Sequence, residues 1–461
     1  MFSERVNLSK NVRMIRYLFI SVNFCFIISQ TFGQQNSNSL DTVQYLTLKQ
    51  CIDYALLNQP ALNKSLLNIS IAKATNSIDL SGFFPQVSIE GTFTHYIELP
   101  TSFFSDTSGS SRAPVKQRVG VVNTFTPEIY VSQAIFSPSL IYALRSAPLY
   151  VKQANQITDS TKINVVASVS KAFYNLLLTL EQINVIREDT VMLGQSVTDT
   201  YHQYVGGIVD ETDNDQAVIT LNNSKAQLKQ ATENVVSQYA TLKQLMGFPP
   251  GKEFNVNFDT LEMRKDIYFD TTQTLDYDKR IELQLINTTK QLQHQTTLYY
   301  QYSFLPTVSA YYGQTFEFEN NTFGKLFSNN YPNSLVGLSL DMPIFTGFAR
   351  THSLQRSRLQ EKLIDWNETA EKSQIYTEYS TSLANYKSDY YNLNILQDNV
   401  ALATKVNFIV NLQYKQGLVA YLNLITAQTN LITAQINYTN ALFQVLSSKI
   451  DLQKAMGMIS Y

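Results

Sequence analysis

Apolar and small residues three and four apart, in two series separated by 210 residues, dominate the pattern of this chain. Leu424, Ala427, Leu431, Ala434, Tyr438, Ala441, Val445, Ser448 and Leu452 form a heptad seam. Subtracting 210 gives Asn214, Ala217, Leu221, Ser224, Leu228, Ala231, Val235, Gln238 and Leu242, with the same alternation of large and small. Each seam lies in a stretch free of Gly and Pro that follows a glycine turn: Tyr204-Val-Gly-Gly207-Ile-Val opens the first and Tyr414-Lys-Gln-Gly417-Leu-Val the second. Leu245-Met246-Gly247 and Ala455-Met456-Gly457 close them. A period this long implies two copies of a whole structural unit. Upstream of the second turn, residues 350–416 run for 67 positions without Gly or Pro, about 100 Å if continuously helical. Residues 149–204 are the counterpart, with an apolar stripe at Ile163, Val166, Phe173, Leu177 and Leu180, and Gly194 as a place for a local bend.

Between the helical stretches the period drops to two. Pro85 opens residues 86–94, where Gln86, Ser88, Glu90, Thr92 and Thr94 face one way and Val87, Ile89, Gly91 and Phe93 the other. Pro306 opens the repeated version at 307–316. A Ser-rich loop (99–118) and an Asn-rich loop (319–334) follow, and second strands return at 128–136 and 335–342. About nine alternating residues suit a tilted membrane strand. The domain plan is therefore a first repeat at 34–250, a linker at 251–275 and a second repeat at 276–461, each repeat reading helix, two strands, long helix, tip turn, helix. Four strands cannot close a membrane barrel, for which about eight are needed. Open edges are not tolerated in lipid, so chains must pool strands. Two chains would give about eight and three about twelve, and only the larger leaves a substantial lumen.

Basic Lys10, Arg13 and Arg16 precede an apolar run at 17–28 and then Gly33, so residues 1–33 read as an export signal cut after Gly33, with Met14 an alternative start. Cys25 follows Val22-Asn23-Phe24, which lacks the small residues of a lipid-anchor site. Cys51 is then the one cysteine left, and no intrachain disulfide is possible. The net charge of −2, with 16% charged and 12% aromatic residues, carries no nucleic-acid footprint. An exported Tyr-rich chain with alternating strands fits the outer membrane. His95, His202, His294 and His352 are scattered without metal-ligand spacing, and neither a phosphate loop nor a Gly-x-Ser-x-Gly elbow occurs. No catalytic residue, metal or cofactor is expected. Trp366 reads as a filler of a helical seam or groove, and Tyr311, Tyr312 and Phe316 as strand aromatics, some of them in a membrane girdle. Arg350, Arg356, Arg358 and Lys362 begin a helix just below the last strand, facing either lipid or lipopolysaccharide phosphates or plain solvent.

These residues resemble the outer membrane efflux protein family of TolC-like trimeric channel-tunnels. Its marks are Leu46-Thr-Leu-Lys-Gln-Cys-Ile-Asp-Tyr-Ala-Leu-Leu-Asn-Gln-Pro60, Phe83-Phe-Pro-Gln-Val87, Phe304-Leu-Pro-Thr-Val308, Pro343-Ile-Phe-Thr-Gly-Phe348 and the two Gly turns, in order along nearly the whole mature chain. The resemblance implies an internally duplicated α+β membrane protein in the outer membrane of a Gram-negative bacterium. Three chains of four strands would complete a twelve-stranded barrel, continued into the periplasm as a helical coiled-coil tunnel. It implies a homotrimeric, non-enzymatic exit duct of a tripartite efflux or type I secretion system. The tips would meet a periplasmic adaptor (membrane fusion) protein and, through it, an inner-membrane pump. Carried over by position, the tip residues are Gly207, Ile208, Val209, Gly417, Leu418 and Val419. The acidic aperture positions of the family pattern fall on uncharged Asn423 and Thr426. The first copy instead gathers Asp210, Glu211, Asp213 and Asp215, which threefold symmetry would turn into a ring of twelve carboxylates barring anions, or which simply complement a helix dipole. The alternatives from other classes are a non-conducting periplasm-spanning tether and a soluble exported binding module.

Overall fold

A computed structural model describes residues 44–104, 115–257, 263–264 and 266–461; the expected signal lies outside them. Strand β1 (Gln44–Leu46) precedes helices α1 (Leu48–Asn58) and α2 (Pro60–Leu80). Thr47 starts α1 through a capping box: its hydroxyl accepts from the Gln50 N–H while the Gln50 side chain accepts from the Thr47 N–H. Pro60, whose missing N–H costs nothing in a first turn, opens α2. Then follow β2 (Gln86–His95), a small hairpin of β3 (Thr101–Phe104) and β4 (Val115–Arg118), and β5 (Asn123–Phe136). The long helix α3 (Pro138–Val205) turns into α4 (Glu211–Met246), and β6 (Phe254–Val256) pairs with β1. The second repeat comprises α5 (Ile281–Tyr302), β7 (Thr307–Asn320), β8 (Asn330–Asp341), α6 (Ala349–Lys415) and α7 (Tyr421–Ala455).

The main sheet is antiparallel with order β2-β5-β7-β8. Its register sorts the side chains by face. Val87 pairs with Val131, Ile89 with Ile129, Tyr312 with Val336 and Ala310 with Leu338, and Phe93, Phe125 and Phe318 line up across three strands. The opposite face carries Glu90 beside Glu128, Thr126 beside Thr92, and Glu317 and Glu319; none of the four strands contains Lys or Arg. One face suits lipid and the other water. The expected aromatic set is split by this alternation: Tyr312 and Phe316 lie on the apolar face, whereas Tyr311 lies on the polar one, its ring stacked on Tyr130 and lying over Gly337, where any Cβ would collide with it.

The strands outrun their sequence signals. β5 starts at Asn123 rather than 128 because Asn123 ties three chain segments together, its Oδ1 accepting from His95 Nδ1 (2.7 Å) and its Nδ2 donating to the Asn320 carbonyl (3.0 Å). Pro127 sits inside β5 opposite Gly91, and Pro332 inside the edge strand β8, where its missing N–H does least harm. Likewise α3 begins at Pro138 and not at 149, running through Pro148. A proline inside a helix leaves the carbonyl four residues upstream, here that of Leu144, without its helical donor, and side chains bond other carbonyls on either side of it. Ser146 donates to the Tyr142 carbonyl (2.7 Å), and the Asn76 amide donates to that of Ala147 (2.7 Å). The two long helices are thus matched, 68 and 67 residues, each about 100 Å long.

All nine positions of both heptad seams are buried or half-buried, while the intervening positions of α4 are mostly exposed. The core gathers at mid-height of the long helices, where Cys51 and Ala55 of α1, Val169, Phe173 and Leu176 of α3, Leu242 and Met246 of α4, and Val445 and Leu452 of α7 meet. Gly247 and Gly457 end α4 and α7 with positive φ, and a Cβ at either would collide with the backbone of residues 58–59 or 279. In the second repeat Arg280 locks the same junction: buried, it pairs with Glu282 (2.9 Å) and Glu378 (2.7 Å) and donates to the last carbonyl of α7, Ala455 (2.6 Å). Trp366 departs from expectation. It stands 74% exposed on α6 and fills no seam within the chain.

Candidate functional site: the two helical tips

Each long helix ends in the same turn. The Gly207 N–H donates to the Tyr204 carbonyl and the Ile208 N–H to that of Gln203; Gly417 and Leu418 do the same to Tyr414 and Gln413. This is the Schellman pattern, which needs a left-handed residue in the glycine position. Gly207 has φ 70° and Gly417 φ 74°, with open space where a Cβ would stand, so conformation and not crowding selects glycine. The residue after such a glycine commonly packs back on its own helix. Here Ile208 is 76% and Leu418 69% exposed. Val209 and Val419 are half-buried, and Val419 packs on the tip cluster of Ala217, Tyr414, Tyr421, Leu424 and Ile425.

That cluster joins the two repeats. The Tyr414 hydroxyl donates to Gln203 Oε1 of α3 (2.7 Å), and its ring meets Tyr421 edge-on at 5.7 Å. Burial, with Tyr421 and Asp213 nearby, pushes the Tyr414 phenol up to about 12, so it stays a donor throughout the physiological range. Sequence reading missed this link. Tyr204 and Tyr414 are equivalent by the 210-residue offset, yet Tyr204 is 39% exposed and Tyr414 9%. The repeat signal makes them look alike.

The acidic residues after the first turn divide. Asp210 precedes α4 without a side-chain capping bond, and Asp210, Glu211 and Asp215 are exposed. Asp213 is half-buried and acts on both Tyr414 and Tyr421. Asn423 and Thr426 are exposed on α7, the Thr426 hydroxyl donating to the Leu422 carbonyl (2.7 Å). Among the described residues no group of His, Cys, Asp and Glu is arranged to hold a metal. His95, His294 and His352 instead lie within hydrogen-bonding distance of Asn123, Glu361 and Gln355.

The family model described as "Outer membrane efflux protein" matches residues 51–248 and 299–458, one stretch in each repeat and together well over half of the chain. The chain belongs to the outer membrane efflux protein family. This efflux protein is 22% identical over 337 residues to Protein CyaE of Bordetella pertussis, a match covering 70% of this chain and 66% of CyaE, just under two-thirds of that relative. Its fold is that of the outer membrane protein VceC of Vibrio cholerae (TM-score 0.71, 16% identity, 89% of this chain and 96% of that one). The Campylobacter jejuni CmeC outer membrane channel is similar too (TM-score 0.70, 16% identity, 94% and 93%). Membership makes this chain an outer membrane protein of efflux, with the fold of the outer membrane channel above.

Proposed function

We propose that three copies form the passive exit duct of a tripartite efflux or type I secretion assembly. In this reading each chain adds four strands to one barrel and two helical hairpins to one tube. The sheet leaves β2 and β8 as bare edges, which lipid does not tolerate, and pairing β2 of one copy with β8 of the next removes both. Exposed Trp366, Leu359 and Leu363 along α6 gain cover from the same neighbour.

The observation that carries the docking assignment is the exposure of Ile208 and Leu418 just past two matching glycine turns. They offer a periplasmic adaptor hairpin a small apolar surface beside unencumbered backbone, and the adaptor brings the inner-membrane pump. Opening then parts the second hairpin from the first, breaking the Tyr414–Gln203 link. Asp210, Glu211 and Asp215, with Asp213 beside that link, supply a threefold acidic mouth, Asn423 and Thr426 its uncharged wall; such a ring repels anions. Leu418→Glu, with Gly417→Trp as a second variant, is expected to abolish drug resistance or secretion while trimer yield and bilayer conductance stay normal. Resistance equal to wild type in both would sink the tip assignment. A non-conducting tether gives no reason for a sheet with one apolar face and one mostly polar, acid-bearing face.

A further inference from the structure

The helix-side end of the sheet carries a collar of aromatic side chains and arginines with a charge bias of its own. The strand ends Gln86, Phe136, Thr307 and Asp341 adjoin α2, α3, α5 and α6. In the flanking stretches, residues 80–85, 137–150, 299–306 and 342–358, the charged residues are Arg145, Arg350, Arg356 and Arg358, with no Asp or Glu; the acids that border them are Asp79, Glu361 and Asp341, the last residue of β8. The strands above have the reverse bias, acids without Lys or Arg.

Three of the arginines stand on aromatics of one short segment. Arg356 donates to the Tyr300 hydroxyl (3.0 Å), Arg145 lies over the Tyr302 ring (5.7 Å), and Arg350 lies over Phe304 (5.9 Å) while donating to the Pro343 carbonyl (3.0 Å). Among the described residues none of the four has a carboxylate within ion-pair distance, unlike Arg280 with its two. A guanidinium has five N–H donors in a fork that fits phosphate oxygens, and stacking leaves most of them free. Beside them the loop after β8 exposes Ile344 (96%), Phe345 and Phe348, the last two in edge contact at 5.6 Å. Phe348 is the one non-glycine residue with positive φ (65°) among the described residues, strain of the kind found where a loop serves a ligand.

We infer that this collar binds anionic phospholipid of the periplasmic leaflet, with Arg145, Arg350, Arg356 and Arg358 on the headgroup phosphates and Ile344, Phe345 and Phe348 among the acyl chains. Two features argue for this occupant. The collar continues the apolar face of the sheet, and its unpaired positive charge complements an anionic headgroup. The assignment rests on the duct reading for orientation, since the long helices fix which leaflet the collar meets.

The test uses the detergent-extracted, delipidated full-length protein, titrated with dioleoyl phosphatidylglycerol, dioleoyl phosphatidylcholine or lipid A and followed by native mass spectrometry and thermal midpoint. Phosphatidylglycerol is expected to bind most tightly and to raise the midpoint. In the Arg145→Gln, Arg350→Gln, Arg356→Gln triple variant its affinity should fall about tenfold or more, with conductance and phosphatidylcholine binding unchanged. Equal affinity of wild type for phosphatidylglycerol and phosphatidylcholine, an unaltered triple variant, or a preference for lipid A would each overturn the assignment. Should the triple variant not assemble, the wild-type preference and its loss in high salt decide alone. A preparation that forms no trimer and conducts nothing refutes the duct; a conducting trimer indifferent to headgroup charge refutes only the collar.

Discussion

At the scale of single residues, Asp189 is the most exacting position. It is buried in α3, its Oδ2 accepting from Ser224 Oγ of α4 (2.8 Å), with Ser224 in turn beside the Thr190 hydroxyl (2.9 Å), while its Oδ1 has no partner. Burial raises its pKa and the Ser224 bond only partly offsets this. A carboxyl that holds its proton more tightly folded than unfolded contributes stability that is complete below the unfolded pKa and lost as pH rises through the folded one. Asp189→Asn is therefore expected to melt above wild type at pH 8, with the gap closing toward pH 4; a variant that melts lower at pH 8 would show that the ionised carboxylate is used. Ser224 was legible in the sequence as a seam position, but Asp189 was not. An acid in a long helix reads as solvated until a neighbouring helix covers it. Cys51 shows the opposite case. Read as unpaired from the count alone, it lies fully buried with its thiol pushed up to about 12.

At the scale of elements, the heptad seams were the most legible feature, because their spacing is set by the helix itself and every position faces a neighbour. Burial is nevertheless graded along α7: Leu452 is wholly covered by the core, Leu431 only half. Leu452→Ala should cost about 2–5 kcal/mol, in the range of buried leucines, and Leu431→Ala clearly less in the same urea unfolding series; equal losses would mean that a contact outside the chain buries Leu431. Element ends were poorly legible. Pro148, Pro127 and Pro332 stop a local reading, yet α3, β5 and β8 run through them, Pro148 with Asn76 and Ser146 serving nearby carbonyls and Pro332 on an edge. The split of Tyr311 from Tyr312 follows from strict alternation. The asymmetry of Tyr204 and Tyr414 does not, because equal spacing cannot say which hairpin turns its tyrosine inward.

At the scale of the whole molecule, the need for partners was visible in the sequence as a strand count too small to close, and the structure gives it form. A single chain presents a four-stranded sheet with two bare edges, an apolar face and an acid-bearing face, above two helical hairpins whose apolar tips project from matched turns. What single-chain patterning could not reveal was how the hairpins grip each other, since Gln203 lies 211 residues from its partner Tyr414. The central claim is that three such chains share one barrel. Cryo-electron imaging of the detergent-extracted particles tests it most directly. The expected result is a threefold particle in which β2 of each chain pairs with β8 of the next to close about twelve strands, continued by a helical tube of about 100 Å. A monomer, or a dimer with an open sheet, would contradict it.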